Sequence, residues 1–500
     1  MKTKIIQGGF SFLKNSRLFK SSFWGIAANG LQSVLLSLFF VIMARKYSET
    51  QFATFLIATT VYQFLAAFST LGLGQWFTRE VVKTADKTQL VNKFLKMQIF
   101  SGLFFYGVNI IIAFTLYSDA VIQNLAIILG INIIFDNIIY AIRSLNVAEF
   151  KQQKTFIISM ADSVLKFLAA CILLIYPLPV LTLSIILIII RFITLNVFLS
   201  YGSSNSINIR QLLAFKITFD EVKKIVAPNW AFIIIGSVSM VYWRIGNLII
   251  SKMLTLNDVA NYEVSYRIFS LALILPMIVS TTVFPSLVEL NKSSSRKKFN
   301  EYFHKIFLLY LIYSLITYTF FYSFSDFIIP FAFGEKYLEN VIYTKQMFLT
   351  VLVFPTALLQ ANVLVALHKE KSDMWLNIIS LIANVSFCFV GLYFYKSLTV
   401  INLAIFASFL IFHICQDVLL LKYKIGKLAN VFKFYIITGV CAGGYAYMSV
   451  YINPFVLFIL FWGIILAGLV FYFIKTGALK NFLNSSSSIH VTEMTKSETI

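Results

Sequence analysis

The sequence predicts an all-α polytopic membrane protein of about fourteen transmembrane helices, built as two six-helix lobes in parallel repeat plus a peripheral helix pair. Three observations predict it: the composition, the spacing of the apolar runs and the placement of positive charge. Hydrophobic residues make up 59% of the 500 and charged residues 12%, where soluble globular chains carry about 25% charged. Mean hydropathy is +0.83, with 52 Phe and 25 Tyr. So thin a charged surface cannot screen that much apolar area from water, so the solvent must be lipid. A soluble enzyme, a nucleic-acid module and a secreted disulfide scaffold are excluded.

A bilayer core of about 30 Å takes roughly 20 apolar residues per helix. Fourteen runs of that kind follow one another along the chain. Spans 1 to 6 lie near 21–44, 51–76, 97–117, 121–142, 155–175 and 180–201, and make an N-terminal lobe, 1–201. A basic linker occupies 202–226. Spans 7 to 12, near 227–250, 259–289, 306–332, 343–367, 374–395 and 399–421, make a C-terminal lobe, 227–423. Spans 13 and 14, near 431–451 and 454–475, form a peripheral pair within 424–476. The tail, 477–500, is polar and Ser-rich and is expected to be disordered.

Charge sets the orientation. With the N-terminus in the cytoplasm, 31 of the 41 Lys and Arg fall on inner segments. Only six are outer (Arg45, Lys46, Lys252, Lys336, Lys345 and Lys396) and four lie inside spans. This follows the positive-inside rule, and the even number of spans places both termini in the cytoplasm. The net charge of +20 then reflects basic loops facing anionic lipid and not nucleic acid. The basic N-terminal segment lacks a small-residue cleavage site and reads as retained. Cys171, Cys388, Cys415 and Cys441 sit in apolar runs without CxxC or CxxH spacing, so they read as small core hydrophobes and no metal site is expected.

An internal repeat is visible at the first turns of two spans. RKYSETQFATF from Arg45 and KMLTLNDVANY from Lys252 are 207 residues apart. Each places a short polar turn before an aromatic-ended apolar helix. Six spans separate them, an even number, so the repeat is parallel about an axis normal to the membrane. Paired lobes of this kind suit alternating access around a cavity near the midplane.

Several stretches resemble a known family. SETQFATFLIATTVYQFLAAFSTLGLGQWFTREV (48–81) resembles the second helix of polysaccharide flippases. PNWAFIIIGSVSMVYWRIGNLIISKMLTLNDVANYEVSYRI (228–268), then PMIVSTTVFPSL (276–287), is similar to their helices 7 and 8. FAFGEKYLEN (331–340) resembles the turn after their helix 9. The ordered set resembles the Wzx-type O-antigen or polysaccharide repeat-unit flippases of the multidrug/oligosaccharidyl-lipid/polysaccharide exporter superfamily. The resemblance implies a transporter of the bacterial inner membrane that moves an undecaprenyl-diphosphate-linked oligosaccharide to the outer leaflet. It implies no cofactor, leaving proton or sodium coupling open. Its partners would be the lipid-linked oligosaccharide, membrane lipids and the polysaccharide polymerase machinery. One departure matters: relatives often carry an acidic residue just after the aromatic pair of helix 7, where this chain has Arg244-Ile245-Gly246-Asn247.

Ionisable residues inside spans cost roughly 2.5–3.5 kcal/mol each on insertion scales, so each needs a reason. Four cations qualify: Lys166, Arg191, Arg244 and Arg267. A lipid diphosphate loses water to cross the membrane, and guanidinium groups replace that hydration with a planar fork. All four are candidates for contacting it. Asp162 precedes Lys166 by four and Glu263 precedes Arg267 by four, so internal pairing competes for those two. Arg191 and Arg244 have no acidic residue one turn away, which favours the cavity for Arg244. Asp136, Asp162 and Glu263 are candidate ion-coupling carboxylates. Asn29, Gln32 and Ser33 share one face of span 1 and are candidates for sugar contacts, against interhelical hydrogen bonding. Gly72 and Gly74 point to close packing or a bend.

Other classes compete less well. A membrane polysaccharide polymerase or ligase would show a large outer loop, and no outer segment here exceeds about ten residues. A drug/cation antiporter of the same superfamily would place carboxylates in its cavity, whereas the unpaired intramembrane charges here are positive. A lipid II-type flippase stays open beside the repeat-unit flippase.

Overall fold

The computed structural model describes residues 17–84, 87–203, 215–292 and 295–475, with Ile207 and Leu212 between them. The tail expected to be disordered, 477–500, lies outside the described residues, as does most of the linker's first half.

The described chain is helical throughout. The first half holds α1 (Arg17–Lys46), α2 (Glu49–Ser69), α3 (Gly74–Lys83), α4 (Lys87–Leu116), α5 (Ala120–Gly130), α6 (Asn132–Ala148), α7 (Gln152–Ile175) and α8 (Val180–Val197). A short helix, α9 (Phe219–Val226), follows in the linker. The second half holds α10 (Trp230–Met253), α11 (Leu256–Ala272), α12 (Ile274–Lys292), α13 (Arg296–Phe333), α14 (Asn340–Met347), α15 (Phe354–Ala366), α16 (Glu370–Phe394) and α17 (Leu398–Lys422). Finally come α18 (Leu428–Met448) and α19 (Pro454–Lys475). Every one of the fourteen expected spans coincides with a helix or a broken pair of helices. Among the described residues, ten such stretches are long and apolar enough to cross a membrane. The others, α1, α10, α18 and α19, complete the set by position and length. Large apolar side chains such as Phe104, Ile111, Tyr393, Phe394, Val440 and Ile464 stand exposed on the outer helix faces, where only lipid can cover them. This is an all-α polytopic membrane protein.

Four spans are broken, and the sequence pattern pointed to one of these breaks, at Gly72 and Gly74 of span 2. Span 2 ends at Ser69, and Leu71 and Gly72 turn left-handed (φ 54° and 56°) before α3 begins. Gly72 takes that conformation without a Cβ clash. Gly74 then packs so closely that an added Cβ would meet the Tyr140 Oη at 2.5 Å, and its amide donates to that hydroxyl at 2.7 Å. Span 4 breaks at Ile131 and runs on to Ala148, six residues past the expected end. Span 8 breaks at Leu273, and span 10 tightens into a 3₁₀ turn at Phe348–Leu352 before Pro355 restarts a helix.

The repeat reappears as capping chemistry. Ser48 caps α2 through a capping box with Gln51, and Thr255 caps α11 through one with Asp258, 207 residues on. A second pair closes spans 4 and 10. Phe150 (φ 57°) and His368 (φ 59°) turn left-handed after α6 and α15. The next amides, Lys151 and Lys369, then bond back to Asn146 and Leu364, both at 2.8 Å. These are the same helix ends six spans apart.

Helix ends identify two faces. Lys46 donates to Leu174 O, Tyr47 Oη to Leu178 O at 2.9 Å, and Lys252 to Leu116 O, which gathers these turns on one face. The alternate turns, rich in Lys and Arg, gather on the other, where Arg296 donates to Tyr423 O and Asn291 to Ala366 O. We call the second the basic face. The buried core is shaped accordingly. One apolar cluster runs unbroken from Phe39 through α2, α5, α10 and α11 to Phe434, joining both halves. Toward the basic face it gives way to two separate clusters. One is built on Leu73, Phe77, Phe94, Leu145 and Phe198 of the first half, the other on Val283, Leu287, Phe303, Leu359 and Leu420 of the second.

Candidate functional site

A cavity of about 500 Å³ opens where the core divides. Its wall on the N-terminal side is polar: Gln32 and Ser33 from α1, Arg143 from α6, Asp162 and Lys166 from α7, and Arg191 from α8. The opposite wall comes from α12, with Ile274, Met277, Ile278 and Thr281. The sequence placed Lys166, Arg191, Asp162, Gln32 and Ser33 as candidates, and the fold brings these five to one cavity. Gln32 also donates to Ser159 O at 3.1 Å. The Asn29 side chain lies outside the described set.

The charges form a connected array. Lys166 Nζ donates to Asp162 Oδ2 at 2.8 Å across one helical turn. Thr194 Oγ1 lies 2.9 Å from the other oxygen of Asp162. Arg191 donates through Nε to Asp136 at 2.8 Å and reaches Asp162 Oδ2 at 3.4 Å. Arg191 had no acidic residue one turn away in sequence, and this expectation of an unpartnered cation is corrected: its two carboxylates arrive from α6 and α7. Pairing between helices is invisible to i±4 spacing.

Arg143 is the residue the sequence reading missed. Span 4 was expected to end at 142, which put Arg143 in a loop. The helix runs to Ala148 and carries it to the cavity wall instead. The available signal was its spacing: Arg143 follows Asp136 by seven, two helical turns on one face. Its Nη2 donates to Ser159 Oγ at 2.5 Å, and its guanidinium carbon lies 5.8 Å from the Phe198 ring centroid. Among the described residues no carboxylate makes an ion pair with it, and its Nε is buried without a hydrogen-bond partner. The array therefore holds three cations, Arg143, Lys166 and Arg191, against two carboxylates, Asp136 and Asp162.

Arg244 and Arg267 sit elsewhere. Both bind the fully buried Glu263, Arg244 Nη1 at 3.5 Å and Arg267 through Nη2. The expectation that Arg244 lacks an acidic partner is corrected: Glu263 comes to it from the neighbouring α11. Asn247 adds a donor to Glu263 at 2.9 Å and lies 3.4 Å from Thr60 Oγ1 of α2. The Arg267 guanidinium stacks over Phe40 of α1, its carbon 3.5 Å from the ring centroid. Neither arginine lines the cavity. They form a knot between first-half and second-half helices within the unbroken core. Further bonds between the halves gather at the face opposite the basic one: Arg45 to Phe331 O and Ala332 O, Lys336 to Tyr47 O at 2.6 Å, and Tyr117 Oη with Ser251 Oγ at 2.9 Å. Ser237 Oγ to Ala67 O, at 3.0 Å, lies deeper.

Residues 42–342 match a family described as polysaccharide biosynthesis protein. No curated protein matches the chain by sequence. Among solved structures, the lipid II flippase MurJ in an inward closed conformation is similar with a TM-score of 0.67 at 14% identity, covering 89% of this chain and 99% of that one. An inward-facing multidrug resistance MATE family transporter of the MOP superfamily gives 0.64 at 11% identity, covering 79% and 95%. A MOP superfamily transporter from Pyrococcus furiosus gives 0.57 at 12% identity, covering 85% and 96%. At these identities the likeness is one of fold.

Proposed function

Because the chain belongs to the polysaccharide biosynthesis protein family, we propose that it is a flippase, a transporter and not an enzyme. Its substrate is an undecaprenyl-diphosphate-linked oligosaccharide repeat unit, of O-antigen, capsule or exopolysaccharide. It carries this unit from the cytoplasmic to the outer leaflet of the bacterial inner membrane and hands it to the polymerase machinery. The observation that carries the reading is Arg143, a guanidinium at the wall of a lipid-embedded cavity with no carboxylate ion pair among the described residues. A diphosphate entering the cavity exchanges water for that fork, in surroundings that strengthen charge-assisted bonds. Lys166 and Arg191 add positive field while their carboxylates keep them in place. Gln32 and Ser33 supply hydrogen-bonding groups for the first sugars.

The shape of the core supports alternating access. Unbroken packing and the bonds between halves close the face opposite the basic one, and the split core leaves the cavity toward the basic face. By the positive-inside rule the basic face is cytoplasmic, so this is the loading state, with both termini on that side. In the reverse state the Arg244–Glu263–Arg267 knot would have to open, and its guanidiniums would then become available to the departing diphosphate. A lipid II-type flippase is the nearest alternative, since that substrate also presents a lipid diphosphate. A drug/cation antiporter fits poorly, because the cavity array carries an excess of positive charge. Reconstitution with a lipid-diphosphate-linked oligosaccharide, comparing wild type with Arg143→Ala, tests the reading.

A further inference from the structure

A second buried polar cluster lies in the C-terminal helices, apart from the cation-lined cavity. Span 12 carries His413 and Asp417 one turn apart on α17, and His413 is fully buried. Its Nε2 lies 3.0 Å from Thr356 Oγ1 of α15. Its Nδ1 lies 2.7 Å from Tyr435 Oη of α18 and 3.1 Å from Asp417 Oδ2. Tyr435 Oη is also 2.8 Å from Asp417 Oδ2, while Gln360 Nε2 donates to Asp417 Oδ1 at 2.6 Å. Phe434 stacks on the imidazole with centroids 4.8 Å apart, and Phe307 lies 6.3 Å away, so the ring has no room for bulk water.

Counting protons fixes the chemistry. Thr356 has one hydroxyl proton, and it is used on Val353 O at 2.9 Å. In that arrangement the threonine accepts from His413, with the proton on Nε2. Around Nδ1, three heteroatoms then face one another: Nδ1, Tyr435 Oη and Asp417 Oδ2. The tyrosine supplies a single proton for the two acceptors, and a bare Nδ1 lone pair confronts a carboxylate oxygen. One further proton, bound between Nδ1 and Oδ2, completes the triangle. Tyr435 and His413 then both donate to Asp417, and the cluster's charge rises from −1 to zero.

We infer that His413, Asp417 and Tyr435 form a proton-binding site in the C-terminal helices, filled from the basic face. Asp417 lines a cavity of about 460 Å³ between α13, α17 and α18, which connects the site to that face past Glu301, His304, Lys427 and Lys433. Around the pair, α16 contributes Asp373, which accepts from Gln416 Nε2 at 3.2 Å. The stretch of α15 that faces it, Thr356 to Gln360, holds no titratable group, and α17 itself adds Cys415 and Lys422. The ligand is the proton alone. The inference stands apart from the flippase reading, since its readout is the imidazole and not the substrate. Because α15, α17 and α18 all supply groups to it, occupancy of the site ties the packing of these three helices to proton availability.

The full-length chain has four histidines, so His304→Gln, His368→Gln and His490→Gln together leave His413 as the sole imidazole. NMR of its isotope-labelled ring nitrogens, followed across the pH range in which the protein stays folded, should show the Nε2–H tautomer at high pH and a doubly protonated ring at low pH. Asp417→Asn removes the charge that holds the added proton and should lower the midpoint by about one unit or more. Tyr435→Phe removes the donor to the bare Nδ1 and to the carboxylate, so it should raise the midpoint. It also serves as an independent variant that leaves the buried carboxylate partnered by Gln360. A ring that keeps one protonation state across that range, or a midpoint that neither variant moves, would overturn the inference.

Discussion

Arg143 donates to the Ser159 hydroxyl at 2.5 Å, while Arg191 on the same cavity wall is held by Asp136 at 2.8 Å and Asp162 at 3.4 Å. Two neighbouring guanidiniums thus differ in whether a carboxylate already occupies their fork. That difference separates a group free to meet an anion from one fixed in the wall, and it gives opposite expectations for their removal.

Arg143→Ala should abolish most transport, by a factor of about ten or more, while membrane abundance stays within about twofold of wild type. A hydrogen bond to a charged group is worth about 1.5–3 kcal/mol, and that loss falls on the substrate complex. Arg143→Lys should retain partial transport, since the charge survives while the bidentate geometry is lost. Surface polysaccharide and membrane abundance measured together decide this, and normal polysaccharide in the Ala variant would contradict it.

Arg191→Ala should act through the fold. Its removal leaves Asp136 without its cation and Asp162 with Lys166 alone, and breaking a buried pair costs about 3–5 kcal/mol. Abundance and thermal stability in detergent should both fall. Arg191→Ala combined with Asp136→Ala should recover part of the loss, because the orphaned carboxylate is gone.

Glu263 is the hub of the second array, bonded to Arg244, Arg267 and Asn247. Glu263→Gln leaves two buried guanidiniums without a counter-charge and should destabilise by about 3–5 kcal/mol. Replacing Glu263, Arg244 and Arg267 together by Leu or Met should be far milder, since no unpaired charge remains. A thermal melt of the single and triple variants separates these outcomes; a triple variant less stable than the single one would contradict the account.

These charge contacts mark where the sequence was legible and where it was not. Composition and apolar run length placed fourteen spans on helices, ten of them long and apolar enough to cross a membrane among the described residues, because a helix in lipid must satisfy its own backbone and so leaves a run of fixed length. The pairs Asp162–Lys166 and Glu263–Arg267 were readable because one helical turn separates their members. Arg191 and Arg244 were misread because their acids belong to other helices, and which helices meet is a property of packing alone. Arg143 was lost to a boundary: a few polar residues at the end of span 4 resemble a loop until the helix is seen to continue through them. The bend at Leu71–Gly72 was signalled by Gly72 and Gly74, whereas the break at Ile131 lies in an apolar run where hydropathy carries no signal of it.

The linker is tied to the basic face by Lys93 and Glu221, 2.8 Å apart. The Lys93 ammonium, and then the Thr218 amide, pull the Glu221 carboxyl from its ordinary 4.5 down to about 2. A carboxylate lowered on folding contributes its tether fully above the ordinary value and loses it as pH falls toward about 2. Protection of the α9 amides, measured against their intrinsic exchange rates, should therefore be constant above pH 4.5 and fall below it. Glu221→Gln should show the lower protection at neutral pH, with no further loss as pH falls.

The central claim is that this chain moves an anionic lipid-diphosphate-linked oligosaccharide through the Arg143 cavity. The most direct measurement reconstitutes purified full-length protein in liposomes loaded with such a lipid and follows the fraction of glycan reached by an external probe over time. Wild type should transfer the glycan between leaflets, and Arg143→Ala, equally folded and equally inserted, should not. Wild-type vesicles that leave the glycan where it started, or an Arg143→Ala protein that transfers it at the wild-type rate, would contradict the account.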